Sequence, residues 1–579
     1  MAQAWRRHAP RLLAAATAIA LFAWLALRTH MHFALSDDYY LARAFAGEVG
    51  GVPESYNLFV HTVFAYLLHV LTLLVPGVWW FSWLQVALLL LATYGILLGA
   101  MNAGRRYGLP LPLGWLIGIV FVMTFTVEYS TSITFTTTAA ALGAAAVWLL
   151  AGVRLEDTPG RVVRGVLCAA FPLLCAYMLR APSALPALAF WVGTLLCRVL
   201  LNGKGERRFA LKPVLCGCAL TLALAACLVG IRAVENQCTP ERPAAQWVRS
   251  NEIPIDYGAL AAASDETLAR IGWTQKEREL ALNWYLMDAN MTIEAFDAIT
   301  ADFLASPPPS LHERLAQAKA QMRRLVTRTP SALDFFLLCC CCCMGAVLCS
   351  LVGGEKTPWA YLAPVGCLGV SCLLLAYLAL SGRLPLRAAA TVLLPACAMG
   401  LWLLARALLP LCRRASWRLL PAGLIVLCCA ALALQSAHTA FGFYYAPQRD
   451  DPAQSTFAGV DAYALGHEEL LLVGDSELGF DKRLFPDRTA GIPTNVLPIW
   501  GSWNNHSEGY RALFAQHGLV HDQFEITDFL RENVRLLSGG EPSEPFMAYL
   551  RERAGGEVQA IACGGGNGFT VYRFERAAQ

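Results

Sequence analysis

Two adjacent carboxylates, Asp37 and Asp38, follow shortly after the first apolar run of the sequence. A carboxylate can act as a general base, but it is costly to place in hydrocarbon. A pair at a membrane boundary is therefore either the solvated end of a helix or a site that faces a cavity. We predict Asp37 and Asp38 as catalytic residues, and the sequence leaves open which of the two would be the base.

Four more ionisable residues stand near the ends of apolar segments, namely Glu128, Arg180, Arg383 and Arg387. Taken singly, Arg180 could anchor a helix at the membrane interface and Glu128 could be a solvated loop residue. Together with Asp37 and Asp38 they combine carboxylates with guanidinium groups, which grip phosphate bidentately. That combination suits the transfer of a group from a phosphate-bearing lipid to a hydroxyl, so we predict these four residues to bind substrate.

The composition is that of a polytopic membrane protein. Hydrophobic residues make up 56% of the 579 residues and charged residues only 15%, whereas charged residues are roughly a quarter of a soluble protein. A net charge of +3, without a basic stretch interleaved with aromatics, excludes nucleic-acid binding. Segments near the ~20 residues needed to cross a bilayer predict eleven transmembrane helices, at 11–29, 78–100, 110–128, 132–152, 164–180, 182–201, 213–232, 333–352, 358–380, 388–410 and 418–436.

The orientation depends on one further apolar segment, 56–76. Counting it as a span would put most of the basic loops outside, against the positive-inside rule. We therefore predict Asn57 to Val75 as a helix at the outer interface, with a plain twelfth span as the alternative. The prediction is a multi-pass protein of the cell membrane with a cytoplasmic N-terminus, an extracytoplasmic C-terminus, and Asp37 and Asp38 in a first outer loop, 30–77.

The spans and the polar stretches between them predict four parts. They are a membrane module of seven spans at 1–232, an extracytoplasmic helical loop at 233–332, a membrane module of four spans at 333–436 and a small extracytoplasmic α/β domain at 437–579. Thr274-x-x-Glu277 has the spacing of a capping box that begins a helix. Alternation, turn residues and helical periodicity predict helices at 265–270, 276–288, 311–327, 510–517 and 545–554, a strand at 469–475, and a hairpin of 557–563 and 569–574 with Gly564 to Gly568 as its turn.

Cysteine and histidine spacing predicts no metal site and no cofactor, although a divalent metal stays possible. Most cysteines, including Cys339 to Cys343, fall in apolar runs, where a thiol is a small apolar side chain. Cys238 and Cys563 are in the predicted outer segments and could pair. The histidines of the last domain show no metal-ligand spacing.

Two polar stretches allow a structural and a functional interpretation. The hydroxyls of Ser130 to Thr138 could pack helices through hydrogen bonds or line a substrate cavity. The polar groups of Gly501 to Ser507 could form a structured loop or contact a sugar. The latter stretch contains Asn505-His506-Ser507, which fits a glycosylation sequon, as does Asn290-Met291-Thr292.

The layout resembles the GT-C superfamily of integral membrane glycosyltransferases. The resemblance is carried by Asp37-Asp38 in the first outer loop, the interfacial helix Asn57 to Val75 and the outer tail 437–579. The sequence also resembles a group of bacterial polytopic proteins that share Pro53-Glu54-Ser55-Tyr56 and Phe135-Thr136-Thr137.

The GT-C resemblance implies a sugar donor of the polyprenyl-phosphate type, Asp37 or Asp38 as the base, and Arg180, Arg383 or Arg387 as phosphate ligands. The first loop lacks a separate Asp-x-Asp, and the Trp-Trp-Asp motif of oligosaccharyltransferases is absent from the sequence. Metal dependence and en bloc transfer of an oligosaccharide to protein are therefore disfavoured.

These features predict a membrane glycosyltransferase that moves a sugar from such a lipid donor to a cell-envelope glycan, lipid or protein acceptor on the outer face. The alternatives are a transporter or flippase of lipid-linked sugars and a non-catalytic envelope protein. Transporters commonly show internal repeats and interrupted helices near the membrane midplane. Here the unusual charges stand at span ends instead.

Overall fold

The computed structural model describes residues 2–29, 31–201, 206–238, 242–307, 309–412, 430–431, 434–435, 452–497 and 505–577. Contacts divide the chain into two compact units. The first comprises Met1–Met31, Leu84–Gly230 and Ser310–Pro447, and the second comprises His32–Trp83, Ile231–Pro309 and Gln448–Gln579. Most of the predicted first outer loop therefore belongs to the same unit as the C-terminal domain. The predicted division into four parts stays a prediction.

The described residues form mostly helices. Up to residue 238 the elements are α1 (Ala2–Arg28), β1 (His32–Phe33), α2 (Ser36–Phe45), α3 (Thr62–Leu74), α4 (Trp80–Arg106), α5 (Leu111–Phe125), α6 (Val127–Thr131), β2 (Ser132–Ile133), α7 (Phe135–Gly152), α8 (Pro159–Leu179), α9 (Ala181–Leu200) and α10 (Glu206–Cys238). From residue 242 they are α11 (Arg242–Asn251), α12 (Ala259–Ala262), α13 (Asp265–Arg270), α14 (Gln275–Leu282), α15 (Ile293–Ala305), α16 (Leu311–Arg328), α17 (Pro330–Val352), α18 (Trp359–Leu380), α19 (Leu386–Cys412), α20 (Pro452–Leu465), β3 (Leu471–Gly474), β4 (Val496–Leu497), α21 (Glu508–Gln516), β5 (Val534–Ser538), α22 (Glu544–Ala554), β6 (Val558–Gly566) and β7 (Phe569–Arg576).

Nine helices among the described residues are long and apolar enough to cross a membrane. They are His8–Arg28, Trp80–Arg106, Phe135–Gly152, Pro159–Leu179, Ala181–Leu200, Leu211–Gln237, Ser331–Val352, Trp359–Leu380 and Leu386–Leu408. Each corresponds to one of the eleven predicted spans. The prediction of a helical, multi-pass membrane protein is confirmed.

Two of the eleven predicted spans, 110–128 and 418–436, are not among these nine helices. The span predicted at 110–128 is a helix of 15 residues, Leu111–Phe125, because the backbone leaves helical geometry at Thr126 and a separate turn of helix follows. At about 1.5 Å per residue that helix is shorter than the ~30 Å hydrocarbon core. The span predicted at 418–436 falls largely outside the described residues, so the count of eleven stays a prediction.

Helix α7 is buried along almost its whole length within the first unit. Its alanines and glycines allow neighbouring helices to approach closely, as small residues do in membrane bundles. The closest approach involves Gly99 of α4, where an added Cβ would lie 2.4 Å from the carbonyl carbon of Trp148. At the C-terminal end of α7 the buried Arg198 donates hydrogen bonds to the carbonyl oxygens of Ala151 and Val153, and a cation there complements the helix dipole.

The cysteines of the membrane helices pack as the sequence predicts. Cys339 and Cys343 on α17 and Cys367 on α18 are buried, and their sulfur atoms lie within 4.8 Å of one another. The Cys397 Sγ contacts the Phe335 carbonyl oxygen at 3.2 Å, across two helices. These thiols fill space between helices and form weak hydrogen bonds to backbone oxygens.

A five-stranded mixed sheet forms the centre of the C-terminal domain, in the order β4-β3-β5-β7-β6. Strand β3 pairs parallel with β4 and β5, while β5, β7 and β6 pair antiparallel. The predicted small α/β domain is confirmed, as are its first strand, its two helices and its terminal hairpin. The hairpin turn is shorter than predicted, because Gly564, Gly565 and Gly566 pair with β7 and only Asn567 and Gly568 remain between the strands.

The predicted helical outer loop and the C-terminal domain contribute to one hydrophobic core in the second unit. Trp247, Trp273 and Phe296 from the loop are buried in the same cluster as Phe514 and Phe546 from the domain. The predicted capping box at Thr274 is present, but its helix α14 ends at Leu282 rather than at 288. The chain turns there because Trp284 adopts a positive φ of 65°.

Replacing Thr274 with alanine is expected to lower the stability of the second unit by about 1 kcal/mol, because an N-cap hydroxyl is lost. Thr274 Oγ1 accepts a hydrogen bond from the Lys276 amide, and the Glu277 carboxylate accepts one from the Thr274 amide. Unfolding of the detergent-purified protein by denaturant, followed by tryptophan fluorescence, measures the change. Thr274→Ser keeps the hydroxyl and should retain most of the stability; equal losses in both variants would contradict the capping role.

Candidate functional site

The two predicted catalytic carboxylates stand in the first turn of α2, in the second unit. Leu35 precedes the helix in an extended conformation and Ser36 is its first residue. A carboxylate in the first turn interacts favourably with the positive end of the helix dipole. Asp37 is partly exposed, whereas Asp38 has 0% of its surface exposed. Asp37 is therefore the one of the two with direct access to solvent in this unit.

Aromatic side chains hold the next turn of α2. The Tyr39 ring lies 5.9 Å from the Trp79 ring and 5.7 Å from the Phe457 ring, which comes from α20 of the C-terminal domain. Burial raises the pKa of both Tyr39 and Tyr40 well above the usual range, so both phenols stay protonated. These contacts fix the helix that carries Asp37 and Asp38.

Glu48 is the centre of a buried ion-pair network behind α2, and it is 0% exposed. Its carboxylate lies 3.3 Å from the Arg43 guanidinium. It accepts hydrogen bonds from Trp79 Nε1 at 2.6 Å and from Arg488 Nε and Nη2 at 2.6 and 2.9 Å. The Arg488 guanidinium also lies over the Trp79 ring, at 5.5 Å from its centroid.

The network continues through the C-terminal domain. Arg488 Nη1 and Arg483 Nη2 each donate to Asp461 Oδ2 at 2.7 Å. Arg483 also donates to both oxygens of Asp481, which is itself buried. With Arg43 and Glu48 included, the network contains three arginines and three carboxylates. Its formal charges therefore balance.

This network is not apparent from the sequence. Its members look like solvated surface charges in the sequence, and Glu48 and Arg488 are 440 positions apart. The local signal is weak, because Asp481-Lys482-Arg483 is a short run of charged residues of the kind found on many exposed loops. Only the tertiary structure shows that this network is buried and that its charges are paired.

Hydrogen bonds to backbone groups also join the predicted first outer loop to the C-terminal domain. The Gly50 amide donates to the Thr494 carbonyl oxygen at 2.9 Å, and Gln516 Nε2 donates to the Gly50 carbonyl oxygen at 2.9 Å. Gly50 has a positive φ of 65°, and an added Cβ would lie 2.3 Å from the Gly509 carbonyl oxygen. A side chain at position 50 is therefore excluded both by backbone conformation and by space.

Helix α3 corresponds to the predicted interfacial helix. It has 13 residues, or about 20 Å at 1.5 Å per residue, and is too short for a twelfth span. His61 caps its N-terminus by accepting from the Val63 amide. One face of the helix is buried. The other exposes apolar side chains at helical spacing, namely Val63, Tyr66, Leu67, Val70, Leu73 and Leu74.

The four predicted substrate-binding residues all stand at helix ends of the first unit. Glu128 is in the short helix α6, Arg180 separates α8 from α9, Arg383 follows α18, and Arg387 is in the first turn of α19. All four are partly exposed. The Arg180 guanidinium lies 4.9 Å from the centroid of the Phe135 ring. Their role in binding substrate stays a prediction.

The hydroxyl-rich stretch between α5 and α7 bonds mainly to backbone. Thr126 Oγ1 and Ser130 Oγ donate to carbonyl oxygens four residues earlier, at 3.0 and 2.9 Å. Thr134 caps α7 by accepting from the Thr137 amide at 3.1 Å. Of the predicted stretch, Ser130 and Thr134 thus bond to local backbone, and the choice between helix packing and a cavity lining stays a prediction.

Two groups of side chains among the described residues combine metal-ligating atoms within 4.8 Å of one another. One consists of the thiols of Cys339, Cys343 and Cys367, and the other consists of the side chains of His506, His521 and Asp522. The second group is not apparent from the sequence, because His506 stands fifteen positions before His521 and this spacing matches no ligand motif. Cys563 is a free, exposed thiol. The side chain of Cys238 lies outside the described part of the chain, so their pairing stays untested.

Comparison with solved structures finds a similarity that extends over nearly the whole chain. The chain is similar to ArnT of Cupriavidus metallidurans. The apo structure of ArnT aligns with 99% of this chain and 98% of that chain, at 13% identity and a TM-score of 0.37. The ArnT structure with undecaprenyl phosphate bound aligns with 97% of each chain, at 12% identity and a TM-score of 0.36.

No family model matches the sequence, and no curated protein matches it. TM-scores as low as those of the two ArnT structures carry no inference about activity. The function is therefore inferred from the residues of this chain.

Proposed function

We propose that this protein is a GT-C-type membrane glycosyltransferase. It transfers a sugar from a polyprenyl-phosphate-type lipid donor to an envelope glycan, lipid or protein acceptor on the outer face. The observation that carries the proposal is the placement of Asp37, a partly exposed carboxylate in the first turn of a helix that is otherwise held rigidly by buried aromatic and ionic contacts. A catalytic base needs such support to keep its geometry.

In the proposed reaction Asp37 accepts the proton of the acceptor hydroxyl as the hydroxyl oxygen attacks the anomeric carbon of the donor sugar. The bond from that carbon to the phosphate oxygen breaks, and polyprenyl phosphate leaves with the bonding electron pair. The product carries the inverted anomeric configuration. Arg180, Arg383 and Arg387 are the proposed ligands of the phosphate, whose negative charge guanidinium groups match. Glu128 is proposed to contact the acceptor.

The proposed orientation places the N-terminus in the cytoplasm and the C-terminal domain outside the cell. It is supported by the concentration of basic residues in alternate loops. The exposed apolar face of α3 also supports it, because such a helix binds in the plane of the membrane interface. Asp37 and Asp38 would then lie on the same side of the membrane as that helix.

The test uses the full-length protein in proteoliposomes with a panel of radiolabelled polyprenyl-phosphate sugars. Sugar transfer to extracted envelope material, with stoichiometric release of polyprenyl phosphate, supports the proposal. Movement of intact lipid-linked sugar between leaflets without release of polyprenyl phosphate would identify a flippase instead. Absence of both, with the donors binding to the protein, would favour a non-catalytic role.

Replacing Arg180, Arg383 or Arg387 singly with glutamine is expected to lower kcat/KM for the donor about 10- to 150-fold. A hydrogen bond to a charged group contributes ~1.5–3 kcal/mol, and the loss should appear mainly as a higher KM. Initial rates at varied donor concentration measure the effect. Arg323, an exposed arginine of α16, provides the matched control, and Arg323→Gln should keep the wild-type rate. Unchanged kinetics in all three test variants would reject the phosphate-binding role.

A further inference from the structure

Two imidazoles and a carboxylate converge in the C-terminal domain, on residues that the proposed transfer reaction does not use. His521 Nδ1 lies 2.7 Å from Asp522 Oδ1, and His506 Nδ1 lies 3.0 Å from the same oxygen. Two ring nitrogens thus point at one carboxylate oxygen. The potential ligand atoms of the three side chains all lie within 4.8 Å of one another.

Surrounding aromatic rings hold both histidines in place. The His521 side chain is 4% exposed and packs edge-on against the Phe514 ring, at 5.4 Å between centroids. The His506 ring lies 5.0 Å from the Trp247 ring. His506 also has a positive φ of 66°, which is uncommon for a residue other than glycine and costs free energy.

Asn505 determines which nitrogen of His521 carries the proton. Asn505 Nδ2 donates to the Leu286 carbonyl oxygen at 3.4 Å, which turns its Oδ1 toward His521 Nε2 at 2.6 Å. An amide oxygen can only accept a hydrogen bond, so in this arrangement Nε2 is the N–H donor. A neutral imidazole has only one N–H, so Nδ1 presents its lone pair to the Asp522 oxygen. Two lone pairs at 2.7 Å repel each other unless a cation lies between them.

The cation between these atoms is either a proton or a metal ion. A metal ion satisfies the same atoms without charging the ring. The hydrogen bond from Nε2 to Asn505 is also the kind of outer contact that fixes the tautomer of a metal-binding histidine.

We propose that His506, His521 and Asp522 form a binding site for a divalent cation of the zinc class. Two imidazole nitrogens and a carboxylate oxygen are ligands that zinc favours, and three protein ligands leave a fourth position open. Asp522 is 62% exposed, so the ion can enter from solvent and water can occupy that position. Bound metal would connect the residues just before α21 with the turn His521–Gln523.

The experiment is a titration of the full-length, detergent-purified protein with ZnCl₂ after removal of metal by a chelator. We expect one equivalent of zinc per chain. His506→Gln and Asp522→Asn should each weaken binding at least about tenfold, because each removes one ligand. His312, an exposed histidine of α16, gives the control variant His312→Gln, which should bind as the wild type does. Mg²⁺ in excess should not compete, since it prefers oxygen ligands.

Cobalt substitution in the wild-type protein tests the site without any variant. Co²⁺ held by imidazole and carboxylate should absorb in the visible range without a sulfur-to-cobalt charge-transfer band in the near ultraviolet. Such a band would place the metal on the thiols of Cys339, Cys343 and Cys367 and would overturn the proposal. Failure of the wild type to bind one equivalent of zinc, or undiminished binding in both ligand variants, would overturn it as well. The titration uses no sugar donor, so its result is independent of the proposed transfer reaction.

Discussion

Asp37→Asn is expected to lower the rate of sugar transfer about 10²- to 10⁴-fold while leaving donor binding close to that of the wild type. That range is the usual contribution of a positioned general base. Asparagine keeps the size of the side chain and its place in the first turn of α2, but it cannot accept the acceptor's proton. The effect should therefore appear in kcat rather than in KM. Release of polyprenyl phosphate in proteoliposomes measures it.

The controls for this prediction separate catalysis from helix stability. Asp265 is an exposed carboxylate in the first turn of α13 and also interacts with a helix N-terminus. Asp265→Asn should therefore reproduce any loss of helix stabilisation without a loss of rate. Size-exclusion chromatography in detergent should show the same folded peak for both variants.

The variant Asp38→Asn decides between the two candidate bases. A large loss of rate in Asp38→Asn, with an active Asp37→Asn, would transfer the role of base to Asp38. Full activity of both single variants and of the double variant would reject the base assignment altogether.

Glu48→Gln is expected to destabilise the second unit by ~3–5 kcal/mol, because it leaves buried guanidinium groups without a compensating charge. Glutamine has nearly the same shape as glutamate, so the loss comes from electrostatics rather than from packing. Arg43 and Arg488 both contact this carboxylate. Because the network connects α2 with the C-terminal domain, transfer activity should fall together with the folded fraction. Thermal unfolding in detergent and the yield of folded protein measure the effect.

Glu552→Gln is the matched control for Glu48→Gln. Glu552 pairs with Lys276, and both side chains are nearly half exposed. An exposed ion pair contributes only ~0–1 kcal/mol, because water already solvates both charges. A loss in Glu48→Gln no larger than that in Glu552→Gln would show that the buried network does not stabilise the unit. Combining Glu48→Gln with Arg488→Gln removes one charge of each sign and should restore part of the stability.

The membrane helices and several local motifs could be predicted from the sequence because their causes are local. An apolar run of about 20 residues crosses a bilayer whatever its neighbours are. The capping box of Thr274 and the hairpin of β6 and β7 likewise depend on residues a few positions apart. The ends of helices could be predicted less well. Helix α5 ends at Phe125 because the backbone leaves helical geometry at Thr126, and hydropathy contains no information about backbone geometry.

The sequence also identified Asp37 and Asp38 as unusual, because two carboxylates beside an apolar run are costly in hydrocarbon. It could not show that Asp38 is buried and that Asp37 is partly exposed. That difference depends on how the rest of the unit packs around α2. The sequence left open which of the two is the base, and the proposal of Asp37 rests on its partial exposure.

The long-range polar contacts were decided by the tertiary structure alone. Glu48 meets Arg488 across 440 positions, and His506 approaches Asp522 through a turn with no recognisable ligand spacing. Hydropathy treats such residues as solvated, since it contains no information about which charges share a buried space. Burial lowers the local dielectric and makes an unpaired charge costly, so these partners are set by the fold as a whole. The sequence by itself determined a multi-pass helical protein with an acidic first loop, and the packing determined which charges support that loop and which side chains can hold a metal.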